Sequence, residues 1–251
     1  MAIAATALGG LPEVQPGDDL GALLAGVAVG EHALRDSDVL AVAHKVVSKA
    51  EGRVRALAGV EPGAHARELA AAHDKDPRAV QVVLDETAEL LRAERGVLIC
   101  RTRHGFVCAN AGVDASNAGG ADRLVLLPED PDGSARALRA RLRELTGAAP
   151  AIVITDSFGR AWRHGQVDVA IGCAGLSPLV DWRGRRDAEG RELRATWIAV
   201  ADEAAAAADL ARAKDSDEPV VRLRGLEGHV VEGDGPGAAE LRRPPEEDLF
   251  R

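Results

Sequence analysis

Three segments of the chain gather oxygen- and nitrogen-bearing side chains where an apolar run gives way to a loop. In Asn110-Ala111-Gly112-Val113-Asp114-Ala115-Ser116-Asn117 a carboxylate, a hydroxyl and an amide share one short loop. Hard oxygen donors of this kind suit magnesium or manganese. The alternative is an Asx-type turn, with Asp114 and Asn117 serving only neighbouring backbone amides. In Ile152-Val153-Ile154-Thr155-Asp156-Ser157-Phe158-Gly159-Arg160 an apolar strand delivers Thr-Asp-Ser into a glycine turn, with Arg160 and Arg163 behind it. Asp156 can hold a metal while the arginines neutralise phosphate, or it can pair with Arg160 in an ordinary surface ion pair. Two acidic strand ends together favour one shared divalent site.

The third segment, Val46-Val47-Ser48-Lys49-Ala50-Glu51-Gly52-Arg53, sets Lys45, Lys49 and Arg53 close in sequence. Lysines so placed contact phosphates as point charges, and the alternative is a solvated basic face. The segment is not a P-loop, because GxxxxGK[ST] is absent. Gly9-Gly10-Leu11-Pro12 allows backbone amides to approach a ligand closely, or is simply a loose start before Pro12. Around Trp182, Arg183, Arg185, Arg186 and Arg191 form a basic island able to meet an anion or an acidic partner. The histidines form no HxxxH or HxH pair and there is no GxSxG, which excludes a histidine zinc site and the common serine-hydrolase arrangement.

Positioning these groups requires a scaffold, and the composition limits its kind. The 251 residues, 46% hydrophobic, can bury one large core or two small ones. With three Phe, three Trp, one Met and no Tyr, that core is aliphatic. A net charge of −9 argues against a general nucleic-acid binder. Cys100, Cys108 and Cys173 have no CxxC or zinc spacing, and read as buried small hydrophobes in a reducing compartment. No run reaches the roughly 18 uncharged apolar residues of a membrane span, and no basic leader precedes the N-terminal apolar residues, so a cytoplasmic protein without membrane contact is expected.

Strands are expected at 38–43, 96–101, 106–110, 123–127, 151–155, 167–171, 193–200 and 220–224, each short, Val/Ile-rich and bounded by Gly, Asp or Pro. Helical periodicity marks 77–95, 134–145 and 201–214, with Asp132-Gly133-Ser134 as the start signal of the second. Because strands and helices do not alternate regularly, and 96–127 reads as three consecutive strands, the expected class is α+β, with mixed and largely antiparallel sheets flanked by helices. No interdomain linker stands out, so residues 1–251 read as one unit, of one lobe or two, with 240–251 an exposed tail or the start of a linker.

Taken in order, Gly10-Leu11-Pro12, Pro16-Gly17-Asp18-Asp19-Leu20, Val46 to Arg53, Asn110 to Asn117, Asp130-Pro131-Asp132-Gly133-Ser134 and Thr155-Asp156-Ser157-Phe158-Gly159-Arg160 resemble the coenzyme F420-0:gamma-glutamyl ligase family. The match continues through Ala170-Ile171-Gly172, Asp181-Trp182, Gly190-Arg191-Glu192-Leu193, Ala201-Asp202-Glu203 and Arg224-Gly225, nearly the whole chain. The resemblance implies that family's ligase-like fold and a GTP-dependent enzyme that adds L-glutamate to coenzyme F420-0 and extends it with gamma-linked glutamates through an acyl phosphate. It implies a homodimer using magnesium or manganese, two ions per subunit, with potassium. By position, Asp114, Asp156 and Ser157 stand as metal ligands. Leu11, Pro12, Glu13, Val14, His44, Lys45, Lys49 and Asn117 stand at the nucleotide, and Lys49 joins the two aspartates in the catalytic set.

The chain departs from the family pattern at His44, where a small hydroxyl residue is commoner, and at 212–218, which lacks the glycine-rich segment of archaeal members. The tail from Pro244 resembles the join to a flavin-binding second domain in actinobacterial members. Two other readings fit the residues alone: a metal-dependent phosphate-ester hydrolase using the same carboxylates, and a non-catalytic subunit that docks a partner on the Trp182 island.

Overall fold

The computed structural model describes residues 2–213 and 215–248. In chain order it runs β1 (Ala4–Ala7), α1 (Leu20–Val27), β2 (Val39–Ala43), α2 (His44–Ala50), β3 (Val54–Ala56), α3 (Ala64–His73) and α4 (Pro77–Asp85). Then come β4 (Thr87–Glu94), β5 (Val97–Thr102), β6 (Val107–Ala109), β7 (Arg123–Val125), α5 (Pro131–Thr146), β8 (Ala151–Arg160) and β9 (Arg163–Ala174). The chain closes with β10 (Val180–Asp181), β11 (Trp197–Ile198), α6 (Val200–Ala211) and β12 (Val220–Arg224).

A five-stranded sheet in the order β1-β12-β2-β8-β9 is the frame, antiparallel except where β2 runs parallel to β8. That pair lies at the middle, and from Val39 to Val42 and Ala151 to Ile154 no residue reaches solvent. Unbroken apolar runs are what a strand covered on both faces requires. Alternate side chains part to opposite faces. Leu40, Val42, Ile152 and Ile154 pack with Leu24 of α1 and Leu138 and Leu142 of α5. Val39, Ala41, Val153 and Leu223 pack with Ala201, Ala204, Ala205 and Ala208 of α6. The alanine face of α6 lets helix and sheet approach closely, which is how a core poor in aromatics reaches dense packing.

A smaller assembly holds the three-stranded sheet β4-β5-β6 and the helices α3 and α4, around Ala66, Ala70, Val80, Val83, Leu98 and Cys100. The β3–β7 pair lies beside it, with Leu57, Val60, Val82, Leu124 and Leu126 in a further cluster. Helices and mostly antiparallel sheets give the α+β class expected from the sequence. All three cysteines are buried and unbridged, as expected. Burial pushes the Cys108 and Cys173 thiols up to about 12.

Three expectations about the elements need correction. The helix at 77–95 stops at Asp85, and Thr87–Glu94 forms β4. Its Ala, Glu, Leu and Arg are good helix formers, but pairing with β5 overrides that weak preference. Arg95 and Gly96, both at positive φ, make the two-residue turn between these strands. At 193–200 only Trp197–Ile198 is a strand, and Val200 already begins α6. The second helix starts earlier than Ser134: Asp130 is its N-cap, accepting from the Gly133 N–H at 3.0 Å, and Pro131 opens the first turn. The expected end of the third helix, Lys214, lies outside the described residues, as do 249–251 of the tail. Within the tail, Arg242 lies 5.7 Å over the Phe106 ring.

Asp132, one place into α5, turns its carboxylate off the helix. Its Oδ1 accepts from Cys173 N at 2.8 Å and Ala238 N at 2.7 Å, and its Oδ2 accepts from Ala239 N at 3.2 Å. At Gly172, next to this anchor, an added Cβ would run into the Pro131 backbone, so β9 and α5 meet where only glycine fits. The end of β9 is thereby fixed to the helix beneath it.

Candidate functional site

β2 and β8 end their pairing at Ala43 and Thr155. A cavity of about 800 Å³ opens there. Carboxyl ends of parallel strands are where open sheets bind ligands. From one side Leu11, Pro12, Glu13 and Val14 border the cavity, and from α2 His44, Lys45 and Lys49. Asp114 and Asn117 come from the loop after β6, and Asp156 and Ser157 from β8. The site residues named from the sequence thus border a single space.

Lys45 and Lys49 are four residues apart and so share one face of α2. Lys45 Nζ donates to Asp114 Oδ2 at 2.7 Å and also to Ser116 Oγ. Lys49 Nζ donates to Glu13 Oε1 at 2.6 Å. Arg53 faces elsewhere, donating to Leu127 O at 3.0 Å and Glu86 Oε2 at 2.8 Å, so it braces the scaffold. His44 is 2% exposed. Its Nδ1 lies 3.3 Å from Ser48 Oγ, and its Nε2 lies 3.3 Å from Asp156 Oδ1 without hydrogen-bond alignment. His44 thus brings a buried ring to the cavity wall.

Asp114 is presented by an unusual backbone. Asn110, Ala111 and Gly112 all have positive φ, and the chain emerges to pair Asp114 with Val125 through both backbone bonds, 3.0 and 2.8 Å. Left-handed Asn and Ala each cost about 1–3 kcal/mol, a strain kept where surroundings over-determine it. Gly112 must be glycine, because a Cβ there would strike the Leu127 side chain. Burial pushes the Asp114 carboxyl up, but the hydrogen bonds from Lys45 and Ser116 N–H outweigh it and hold the group below the usual carboxylate range. The Asx-type contact considered from the sequence is present, since Ser116 N donates to Asp114 Oδ1 at 2.7 Å. Asp114 still turns its other oxygen to the lysine.

Asp156 accepts from its neighbour Ser157 N at 2.8 Å rather than from Arg160, whose Nη2 donates to His164 O. Arg160 and Arg163 close the β8–β9 hairpin, whose tip carries Trp162 at 83% exposure. The Trp182 island also stands apart from the cavity, with Arg185 over Trp182 at 5.1 Å and Arg183 over Trp197 at 4.3 Å.

Sequence reading missed Asp168 and Arg123, which border the cavity as well. Asp168 pairs with Ser157 across β8 and β9 and is 1% exposed. It accepts from Ser157 Oγ at 2.6 Å, from Thr155 Oγ1 at 3.0 Å and from Arg212 Nη2. One signal existed, a lone charge inside the apolar run from Val167 to Ile171. Arg212 also donates to Pro219 O at 2.8 Å, turning its guanidinium inward.

The donors fit a hard divalent ion. Among the described residues no group of three or more His, Cys, Asp or Glu side chains could hold a metal unaided. One or two carboxylates completed by water and substrate phosphates are how magnesium is commonly held. The Lys45 ammonium at Asp114 shows that this carboxylate accepts a cation from the cavity side.

No helix among the described residues is long and apolar enough to cross a membrane. The family model described as F420-0:Gamma-glutamyl ligase matches residues 10–225. A coenzyme F420:L-glutamate ligase of Methanopyrus kandleri is 46% identical over 97% of this chain and 100% of its own length. The protein of the same name from Methanothermobacter thermautotrophicus is 43% identical over all of both chains, and that of Haloarcula marismortui is 45% identical over 98% and 94%. With an ordered match through the sheet, the cavity and both acidic loops, the chain belongs to the F420-0:gamma-glutamyl ligase family.

Proposed function

We propose that the protein is a GTP-dependent ligase that joins L-glutamate to coenzyme F420-0 through an amide bond and extends the product with further gamma-linked glutamates. The observation that carries this reading is the convergence of Asp114, Asp156, Lys45 and Lys49 on one cavity, in a chain similar over its whole length to proteins named coenzyme F420:L-glutamate ligase. A carboxylate resists attack by an amine because its leaving group is poor. Transfer of the gamma-phosphoryl group to a carboxylate oxygen of F420-0, with GDP leaving, makes an acyl phosphate. The glutamate nitrogen then attacks the acyl carbon, inorganic phosphate leaves, and the nitrogen loses its proton.

Phosphoryl transfer is governed by positioning and by charge stabilisation rather than covalent help from the protein. Lys45 and Lys49 supply positive charge along one helix face. Asp114, Asp156 and the Ser157 hydroxyl would hold magnesium or manganese, which neutralises charge on the transferring phosphoryl group. Asn117, at φ +54, and residues 11–14 border the cavity, where they would meet the nucleotide. Potassium and a homodimer belong to the same reading, and gel filtration with light scattering tests the dimer.

The enzyme is incubated with F420-0, L-glutamate, GTP and manganese, and products are read by mass spectrometry. A ladder rising by one glutamate residue per step, dependent on GTP, supports the proposal. GTP or phosphate-ester hydrolysis that ignores glutamate would instead favour a hydrolase. Asp114→Asn and Asp156→Asn should keep the fold and lose product, and retained turnover in either would remove it from the metal set.

A further inference from the structure

We propose that Asp168 is a positioning residue that fixes the proton of the Ser157 hydroxyl away from the cavity, so that Ser157 meets a divalent cation only through its lone pairs. This rests on the metal reading above. A serine hydroxyl has one proton and two lone pairs and rotates to suit its surroundings. Here the rotation is decided by a buried carboxylate that stands opposite it in register on β9: Ser157 Oγ donates to Asp168 Oδ1 at 2.6 Å. With its proton committed, any other contact of that oxygen is made as an acceptor.

The carboxylate is itself held in place. Thr155 Oγ1 donates to Oδ2 at 3.0 Å, and Arg212 Nη2 donates to the same oxygen. Arg212 Nη2 also donates to Thr155 Oγ1 at 2.9 Å. The arginine therefore fixes which oxygen of Asp168 is left for Ser157. This gives the 212–218 segment a role that does not depend on touching the nucleotide: its first residue orders the hydroxyl beside Asp156. Partners that orient metal ligands in this way are commonly worth about 10–100-fold in metal affinity.

The arrangement makes an isosteric test possible. In Asp168→Asn the amide oxygen is claimed by Arg212 and Thr155, so the amide nitrogen faces Ser157 and turns the hydroxyl proton into the cavity. Manganese affinity is measured by isothermal titration with GDP present, on the full chain, for wild type, Ser157→Ala, Asp168→Asn, the double variant and Asp156→Asn. We expect Asp168→Asn and Ser157→Ala each to weaken manganese binding by about 10–100-fold. The double variant should bind within a few-fold of Ser157→Ala, because a residue acting through Ser157 has nothing left to act on.

Penalties that multiply in the double variant would overturn the proposal, as would an Asp168→Asn affinity equal to wild type. In either case Asp156→Asn still abolishes binding, and the metal reading survives. If Asp156→Asn binds manganese like wild type, the metal site is lost and this inference with it. Should Asp168→Asn fail to fold for want of a partner to Arg212, the cycle is run with Asp168→Glu, which keeps a carboxylate for Arg212 but displaces it from the Ser157 hydroxyl, and the same two outcomes decide.

Discussion

Replacing Asp132 by alanine should be among the most damaging single changes outside the cavity. Its carboxylate joins α5 to the end of β9 and to the segment at 238–239, through three backbone donors. Two of these belong to buried residues, Cys173 and Ala238. Hydrogen bonds to charged groups contribute about 1.5–3 kcal/mol each. Losing the two buried ones then costs about 3–6 kcal/mol, with the exposed contact to Ala239 adding little. For a chain of this size the corresponding fall in melting temperature is about 6–24 °C. Asp132→Asn keeps an acceptor for Cys173 and Ala238 and should lie between wild type and alanine. The assay is urea denaturation followed by circular dichroism at neutral pH, with calorimetry as a second probe. An alanine variant within about 1 kcal/mol of wild type, below the loss of even one such bond, would refute the reasoning.

Other outcomes follow from the same geometry. Gly172→Ala forces a methyl into the Pro131 backbone and should cost about 1–3 kcal/mol in the same denaturation assay, a neutral result meaning the contact yields. Lys49→Ala should weaken GTP binding by about 10–150-fold, the equivalent of one charge-assisted contact, by isothermal titration; unchanged affinity would move Lys49 off the phosphates. Burial holds the Asp202 carboxyl above its ordinary value, against the hydrogen bond it accepts from Ala170 N. The folded state then binds that proton more tightly than the unfolded chain, so ionisation lowers stability at neutral pH and the loss is recovered as pH falls through the raised value. Asp202→Asn should therefore melt higher than wild type near pH 7, with the gap closing on acidification. A gap constant with pH would contradict this.

How much of this was legible in the sequence depended on whether local pattern and tertiary pairing agreed. The apolar runs at 38–43 and 151–155 read as strands because both faces are buried, and the structure pairs them side by side at the centre of the sheet. The segment from Thr87 to Glu94 was illegible for the opposite reason. Its residues favour a helix and only the partner strand β5 makes it extended. The candidate site shows the same division. Asp114 and Asp156 stood out because each ends an apolar run, and Lys45 and Lys49 because of their spacing. Asp168 sits inside a strand, and its meaning lies in the residue opposite, which depends on the register of the β8–β9 hairpin. Arg212 reaches Thr155 and Asp168 across 57 and 44 positions of chain. No local motif encodes such a contact.

The ion pairs of the cavity bear on how a polyanion enters it. Lys45 is matched by Asp114, Lys49 by Glu13 and Arg212 by Asp168. A bare basic patch gathers a cloud of small anions from solution, and its affinity for phosphates falls steeply as salt is added, because those ions must be driven off. Here carboxylates of the chain itself already occupy that place. Entry of a triphosphate at Lys45 and Lys49 exchanges one anionic partner for another and sets Asp114 and Glu13 free, so few ions are released to the bulk. Nucleotide affinity should accordingly change little with added sodium chloride at a fixed potassium concentration, and an organism whose cytosol is rich in salt could carry the same pocket without redesign.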